Sequence, residues 1–258
     1  MKIALTEMDI VWEDIKENMQ QCTDMIEEAA CHKADFILFP EMTLTGFSMQ
    51  IDKIADNTGK TICFFSRLAK KNNIAIGFGY AAKPDDMGRN HFAVVDANGS
   101  VLMDYIKLHP FTYGGEADVY RGGEEFGCFH MLEDTWHCAG FICYDLRFPE
   151  SFQKLPDRDV IFLIANWPES RIHQWHTLLQ ARAIEMQSYV IGINRIGKGN
   201  GICYSKSSTA YNPKGVELVA EQEVGCQNRY VEIDLEFRRR YAKKFASRLD
   251  RRQGIDYE

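Results

Sequence analysis

Two runs without a single polar side chain, Phe36-Ile37-Leu38-Phe39 and Val160-Ile161-Phe162-Leu163-Ile164-Ala165, constrain this chain more than any other feature. Strands this short and this apolar are buried on both faces, so each needs a sheet with a layer packed on either side. The patterns around the two runs recur in the same order. In the first half, Ile3 to Leu5 reads as a short strand. From Asp14, the residues Ile15, Met19, Cys22, Ile26 and Ala29 mark one apolar stripe of a long helix. Beyond Phe39, a second helix carries Ile62, Phe65 and Ala69, and Ile74 to Tyr80 forms a strand. Two alternating strands follow, His91 to Asp96 and Val101 to Ile106, around the turn Ala97-Asn98-Gly99-Ser100. The second half opens with the strand Trp136 to Cys143, then a short helix and the run Val160 to Ala165. A long helix from about Arg171 to Ser188 leads to the strand Tyr189 to Ile196. Ser208 to Tyr211 and Val216 to Ala220 then pair around Asn212-Pro213-Lys214-Gly215.

Two β-α-β-α-β-β-β halves without a Pro/Ser-rich linker predict one α/β domain over residues 1–258. The expected architecture is a four-layer α-β-β-α sandwich of two mixed sheets with internal pseudo-two-fold symmetry. A doubly wound single sheet fits less well, because each half ends in an antiparallel hairpin. The segment 236–258 is expected to be a tail packing on the domain or on a partner subunit. The net charge of −7, with basic residues scattered apart from Arg238-Arg239-Arg240 and Lys243-Lys244, argues against a nucleic-acid-binding face. No apolar run approaches the roughly 20 residues of a membrane-spanning helix. The opening MKIALTEMDIVWED turns acidic too early for a signal peptide. Eight cysteines with no C-x-x-C predict reduced thiols and a cytoplasmic protein. His137-Cys138 and His173-x-x-His176 come nearest to metal spacing, and neither has a second pair, so no metal is expected.

Three reactive residues each end an apolar strand: Glu41 in FILFPEMTLTGF, Lys107 in DYIKLHPF and Cys143 in GFICYDLRFPE. In sheet-based α/β folds, active sites gather where loops leave the strand ends. Singly, each residue has an ordinary explanation: a helix-start charge, a solvated lysine, a small core cysteine. Together they point to chemistry.

The whole chain resembles the nitrilase superfamily of carbon–nitrogen hydrolases. The resemblance rests on LFPEM-x-L-T-G-F around Glu41, Y-x-K-x-H around Lys107 and C-Y-D-L-R-F-P-E around Cys143, in the family's Glu–Lys–Cys order. The stretch ANWPESRIHQWHTLLQARAIEMQSYVIGINRIG further resembles the bacterial ω-amidase branch. The resemblance implies a cysteine-dependent amidase that cleaves the distal amide of a small 2-oxo acid, with no metal or organic cofactor. Cys143 would be the nucleophile, Glu41 the general base, and Lys107 the balancing charge that also helps hold the oxyanion. The backbone N–H of Tyr144 would be a second oxyanion donor. Self-association as a homodimer is the family's usual state. The neighbouring readings are a deaminated-glutathione-type amidase, an N-carbamoyl hydrolase, a nitrilase, or a catalytically dead binding protein of the same fold.

Many members carry a second glutamate past the lysine. Glu116, nine residues on in HPFTYGGE, is the candidate, with Glu124 and Glu125 as rivals. Asp145 and Arg147 are expected to pair and brace the turn after the nucleophile. Arg171 either holds a substrate carboxylate or caps a solvated helix start, with Arg195 as the reserve cation. Trp167 and Phe47 either wall the pocket or fill the core.

Overall fold

The structure, a computed structural model, describes residues 1–250. In chain order its regular strands and helices are β1 (Lys2–Leu5), α1 (Ile15–Cys31), β2 (Phe36–Leu38), α2 (Ile51–Ile54), α3 (Lys60–Asn72), β3 (Ala75–Ala82), β4 (Arg89–Val95), β5 (Val101–Ile106), β6 (Gly127–Met131), β7 (Trp136–Ile142), α4 (Pro149–Gln153), β8 (Val160–Ala165), α5 (Ile172–Met186), β9 (Tyr189–Asn194), β10 (Gly197–Gly199), β11 (Ile202–Tyr204), β12 (Thr209–Tyr211), β13 (Arg229–Glu232) and α6 (Leu235–Lys244). Asp14 starts α1 as expected, its carboxylate accepting the Glu17 N–H.

The strands form two mixed sheets, β13-β1-β2-β3-β4-β5 and β12-β9-β8-β7-β6. The central trios β1-β2-β3 and β7-β8-β9 are parallel. Each trio is flanked by antiparallel partners, β13 and β4 in the first sheet, β6 and β12 in the second. The two halves therefore repeat not only in order but in strand direction. Side chains from both sheets interleave in one core, with Phe36 of the first meeting Phe162 of the second at 5.0 Å between ring centroids. Gly140 lets the sheets approach: a Cβ there would stand 2.6 Å from the Met103 methyl and 2.8 Å from Phe92. A second core lies between the first sheet and helices α1 and α3, built from Cys22, Ile26, Phe65, Phe78 and their neighbours. On the far side, α5 covers the second sheet through Trp175 and Leu179, which crowd Gly192 of β9. The four layers are α-β-β-α.

Several details differ from the sequence reading, which had no counterpart for α2, the edge strand β13 or α6. Residues 216–220 form no strand, only an isolated bridge from Glu217 to Tyr211, so the second half ends on β12. Strand β6 went unrecognised because GCFHM is only five residues long and opens on a glycine. So did the ribbon β10-β11, where glycines dominate the first strand. The described part of the C-terminal segment packs on the second sheet's loops. There Arg238 donates to Asp157 and Asp159 and to the Gln187 carbonyl. Residues 251–258 of that expected tail lie outside the described residues.

Candidate active site

The pocket at the strand ends is built by both halves of the fold. Beyond β2, Phe39 and Pro40 carry the chain to Glu41, which is fully buried. Gly79 on adjacent β3 is required there, since a Cβ would fall 2.4 Å from the Met42 nitrogen and 2.8 Å from the Glu41 Cα. Lys107 follows β5 directly, also buried. Its ammonium donates to Glu41 Oε1 at 3.0 Å and to Glu116 Oε2 at 2.8 Å. Glu116 lies in the loop after Lys107, where its Oε2 also accepts the Phe111 N–H at 2.6 Å. The rivals Glu124 and Glu125 are exposed.

Two asparagines that sequence reasoning missed hold the carboxylates in place. Asn90 on β4 bridges them, its amide donating to Glu41 Oε1 at 2.8 Å and Glu116 Oε1 at 2.9 Å. Asn166, the first residue beyond β8, donates its backbone N–H to Glu41 Oε2 at 2.9 Å and its side-chain amide to the Glu41 carbonyl at 2.6 Å. Both carboxamides leave Oδ1 buried without a partner among the described residues. That sacrifice costs about 1–3 kcal/mol each, and it is made because only the NH₂ end can face a carboxylate.

Cys143 begins a 3-10 turn immediately after β7, in the left-handed region at φ 45. A non-glycine residue held there is strained, a condition concentrated at functional sites. As the first residues of that turn, Cys143 and Tyr144 have backbone N–H groups with no partner inside it. Asp145 fixes the turn: its carboxylate accepts the Ile142 N–H at 3.0 Å, the Tyr105 hydroxyl at 2.8 Å and the His109 N–H at 2.9 Å. The expected Asp145–Arg147 pair does not form. Asp145 turns inward to β5 and its loop, while Arg147 turns outward into the pocket, donating to Gln174 at 2.6 Å and lying 4.8 Å over the Trp167 ring.

Burial alone would depress the Lys107 ammonium, but Glu116, Glu41 and Cys143 outweigh it and hold it above the usual lysine range. Burial pushes the Glu116 carboxyl up, and Lys107 offsets only part of that. Burial also pushes the Cys143 thiol well up, Glu41 adds to this, and Lys107 opposes both. Cys143 is therefore a thiol at neutral pH and needs a base to become a nucleophile. Lys107 already occupies the centre of the acidic groups, where a metal cation would otherwise sit.

The pocket is lined by Glu41, Lys107 and Cys143 at its floor and by Phe47, Tyr144, Trp167, Arg147 and Arg171 around them. Phe47 stands 5.3 Å from the Lys107 nitrogen. Trp167 serves both readings made of it, since it lines the pocket yet is buried in the core against Trp175. The Arg171 guanidinium lies 5.5 Å over the Phe111 ring, and its carbonyl accepts the Trp167 indole N–H at 2.8 Å. Arg195 does not line the pocket: it is buried, with Nε donating to the Ile196 carbonyl and Nη2 to those of Ile10 and Lys198.

A buried Glu–Lys–Glu cluster beside a strained cysteine, at the strand ends of an α-β-β-α sandwich, defines a carbon–nitrogen hydrolase of the cysteine type. The chain belongs to the carbon–nitrogen hydrolase family, whose model matches residues 2–243. It is 32% identical over 252 residues to the omega-amidase YafV of Escherichia coli (strain K12), covering 97% of this chain and 96% of that one. It is also 32% identical over 242 residues to the 2-oxoglutaramate amidase of Bacillus subtilis (strain 168), covering 91% of each. Among solved structures it is similar to XC1258 of Xanthomonas campestris, a CN-hydrolase superfamily protein with an arsenic adduct in its active site. The TM-score is 0.90 at 28% identity, over 99% of this chain and 98% of that one. The protein is a hydrolase acting on carbon–nitrogen bonds other than peptide bonds, of the amidase type.

Proposed function

We propose that this amidase hydrolyses the distal amide of a small 2-oxo acid, 2-oxoglutaramate or 2-oxosuccinamate, to the acid and ammonia through a thioester on Cys143. The observation that carries this reading is the position of two arginines. Arg147 and Arg171 face the same pocket as Cys143, each over an aromatic ring, and among the described residues neither has a carboxylate partner. The pocket thus has a reactive floor and a cationic mouth, suited to a short substrate with an amide at one end and a carboxylate at the other. The names of the two bacterial relatives support the same substrate class.

In this mechanism Glu41 takes the Cys143 proton as the sulfur attacks the amide carbon. The oxyanion is held by Lys107 and the Tyr144 N–H. Glu41 returns the proton to the departing nitrogen, ammonia leaves, and the thioester remains. Glu41 then takes a proton from water, which attacks the thioester and releases the acid. Glu116 and Asn90 keep Lys107 and Glu41 in register. Arg171, with Arg147, holds the substrate carboxylate, and Trp167 and Phe47 wall the pocket. A screen that reads ammonia release from 2-oxoglutaramate, 2-oxosuccinamate, glutamine, asparagine, N-carbamoyl amino acids and simple nitriles, and release of the peptide amine from deaminated glutathione, tests the assignment. Highest kcat/KM on the 2-oxo acid amides is expected. A preference for any other class overturns the substrate assignment while leaving the amidase chemistry in place.

A further inference from the structure

Outside the pocket, His32, Glu223 and Cys226 bring one nitrogen, one oxygen and one sulfur to a common point at the outer edge of the first sheet. His32 is the C-terminal cap of α1, and the other two flank the turn before the edge strand β13. The His32 Nε2 lies 3.4 Å from Glu223 Oε2 and 3.6 Å from Cys226 Sγ. Neither distance is that of a strong hydrogen bond. Both are the ligand-to-ligand spacing of a tetrahedral zinc centre. With Zn–N and Zn–O near 2.0–2.1 Å and Zn–S near 2.3 Å, donor atoms stand about 3.3–3.6 Å apart.

The surroundings arrange these donors in advance. The His32 Nδ1 lies 2.9 Å from the Glu28 carbonyl and can donate to it, which leaves Nε2 as the ring nitrogen that faces the other two donors. A backbone carbonyl orienting a ligating histidine is the usual second partner of such a site. The His32 ring is also stacked on Tyr230. Glu223 and Cys226 are the ends of a tight turn, with the Cys226 N–H donating to the Glu223 carbonyl at 3.1 Å and Gly225 at φ 89. The Glu28 carboxylate anchors the far side of that turn by accepting the N–H groups of Gln227 and Asn228. His32 and Cys226 are 194 residues apart, so no local spacing announces the set.

We propose that His32, Glu223 and Cys226 form a zinc site with its fourth position open to solvent, clasping the end of α1 to the turn before β13. Mixed nitrogen, oxygen and thiolate donors select zinc or its tetrahedral analogue cobalt over magnesium or calcium. The first test titrates the metal-free enzyme with cobalt(II) and reads the thiolate-to-cobalt charge-transfer band in the near ultraviolet. One equivalent is expected to bind, with the band retained in Cys143→Ser and lost in Cys226→Ser. His32→Gln should weaken binding at least tenfold. Absence of the band, or its loss in Cys143→Ser in place of Cys226→Ser, overturns the proposal. A second test needs no variant: zinc should slow alkylation of Cys226 in the wild-type protein, read by peptide mass spectrometry, and magnesium should not. Equal labelling of Cys226 with and without zinc also overturns it.

Discussion

Glu41 and Asn166 are the first polar residues past the two apolar central strands, and they are bonded to each other across the sandwich. The Asn166 N–H reaches the Glu41 carboxylate at 2.9 Å while its amide holds the Glu41 carbonyl at 2.6 Å. One half of the fold supplies the proposed base and the other half aims it.

That relationship makes Asn166 a positioning residue with a measurable signature. Asn166→Ala keeps the backbone N–H and should lower kcat about tenfold, 1.4 kcal/mol of barrier. Asn166→Asp replaces the side-chain donor with a negative charge against the Glu41 carbonyl and carboxylate, and should lower kcat further than Asn166→Ala with KM little changed. Wild-type kcat in Asn166→Asp would contradict the role.

Glu41 also raises the Cys143 thiol, second to burial, so removing its charge separates two properties. In Glu41→Gln, Lys107 acts on the sulfur with less opposition and the thiol pKa falls. A neutral alkylating reagent should then modify Cys143 at least as fast as in the wild type. Ammonia release should nevertheless drop about 10²–10⁴-fold, because no group is left to protonate the leaving nitrogen. Cys143→Ala should release no ammonia while unfolding at the wild-type midpoint. Turnover by that variant would disprove the thioester route.

Glu116 does not touch the sulfur in this arrangement; it holds Lys107 at 2.8 Å and shares Asn90 with Glu41. Glu116→Gln should therefore lower kcat at least tenfold with KM little changed. Lys107→Met should be more severe, since it strips the charge balance from Glu41 and the oxyanion together. Equal, small effects from both would place the oxyanion contact elsewhere.

In the proposed function, specificity rests on the two pocket arginines. Leaving a substrate carboxylate unpaired in a partly desolvated site costs several kcal/mol. Arg171→Met is expected to raise KM for 2-oxoglutaramate at least tenfold and to change a neutral short-chain amide far less. Because Arg147 is released from Asp145, the double Arg147→Met, Arg171→Met variant should lose more than either single change. Identical losses on charged and neutral amides would make Arg171 structural.

Asp56 offers a stability test remote from the chemistry. Burial raises its carboxyl, but the N–H groups of Thr61 and Thr58 more than reverse this and bring it from 3.8 down to about 2. A depressed folded pKa contributes stability that is fully present above the unfolded value and is lost as pH falls toward the folded one. Asp56→Asn should lower the urea midpoint at neutral pH, and the gap from wild type should narrow between about pH 4 and about pH 2. A gap that stays constant over that window would exclude the linkage.

The reactive residues were legible in the sequence because each interrupts an apolar strand end, a position with few bland uses when three occur together. The sheets were legible for a related reason: Phe36–Phe39 and Val160–Ala165 admit only strands covered on both faces. Asn90 and Asn166 were not. A buried asparagine at a strand end carries no period or motif, and its purpose exists only once Glu41 from the other half arrives. The Asp145–Arg147 pairing failed because two residues apart on a 3-10 turn point to different sides of it, one to His109 and one to Trp167. Residues 216–220 alternate like a strand and return two backbone hydrogen bonds to Ala210 and Asn212, yet the pairing stops at the single bridge between Glu217 and Tyr211 and no strand extends from it.

The pairing of β1 with β13 has a consequence for how the chain comes off the ribosome. Leu5 lies opposite Arg229 and Lys2 opposite Glu232, so among the described residues the first strand is closed by the last. Until β13 is synthesised, β1 presents an open edge of unpaired backbone groups, a template for wrong partners. The first sheet is therefore closed on that side only once the residues of β13 have been made. Such a long-range closure slows folding. It also ties the first sheet to a distant segment, so a product that stops before Arg229 leaves the β1 edge of that sheet open.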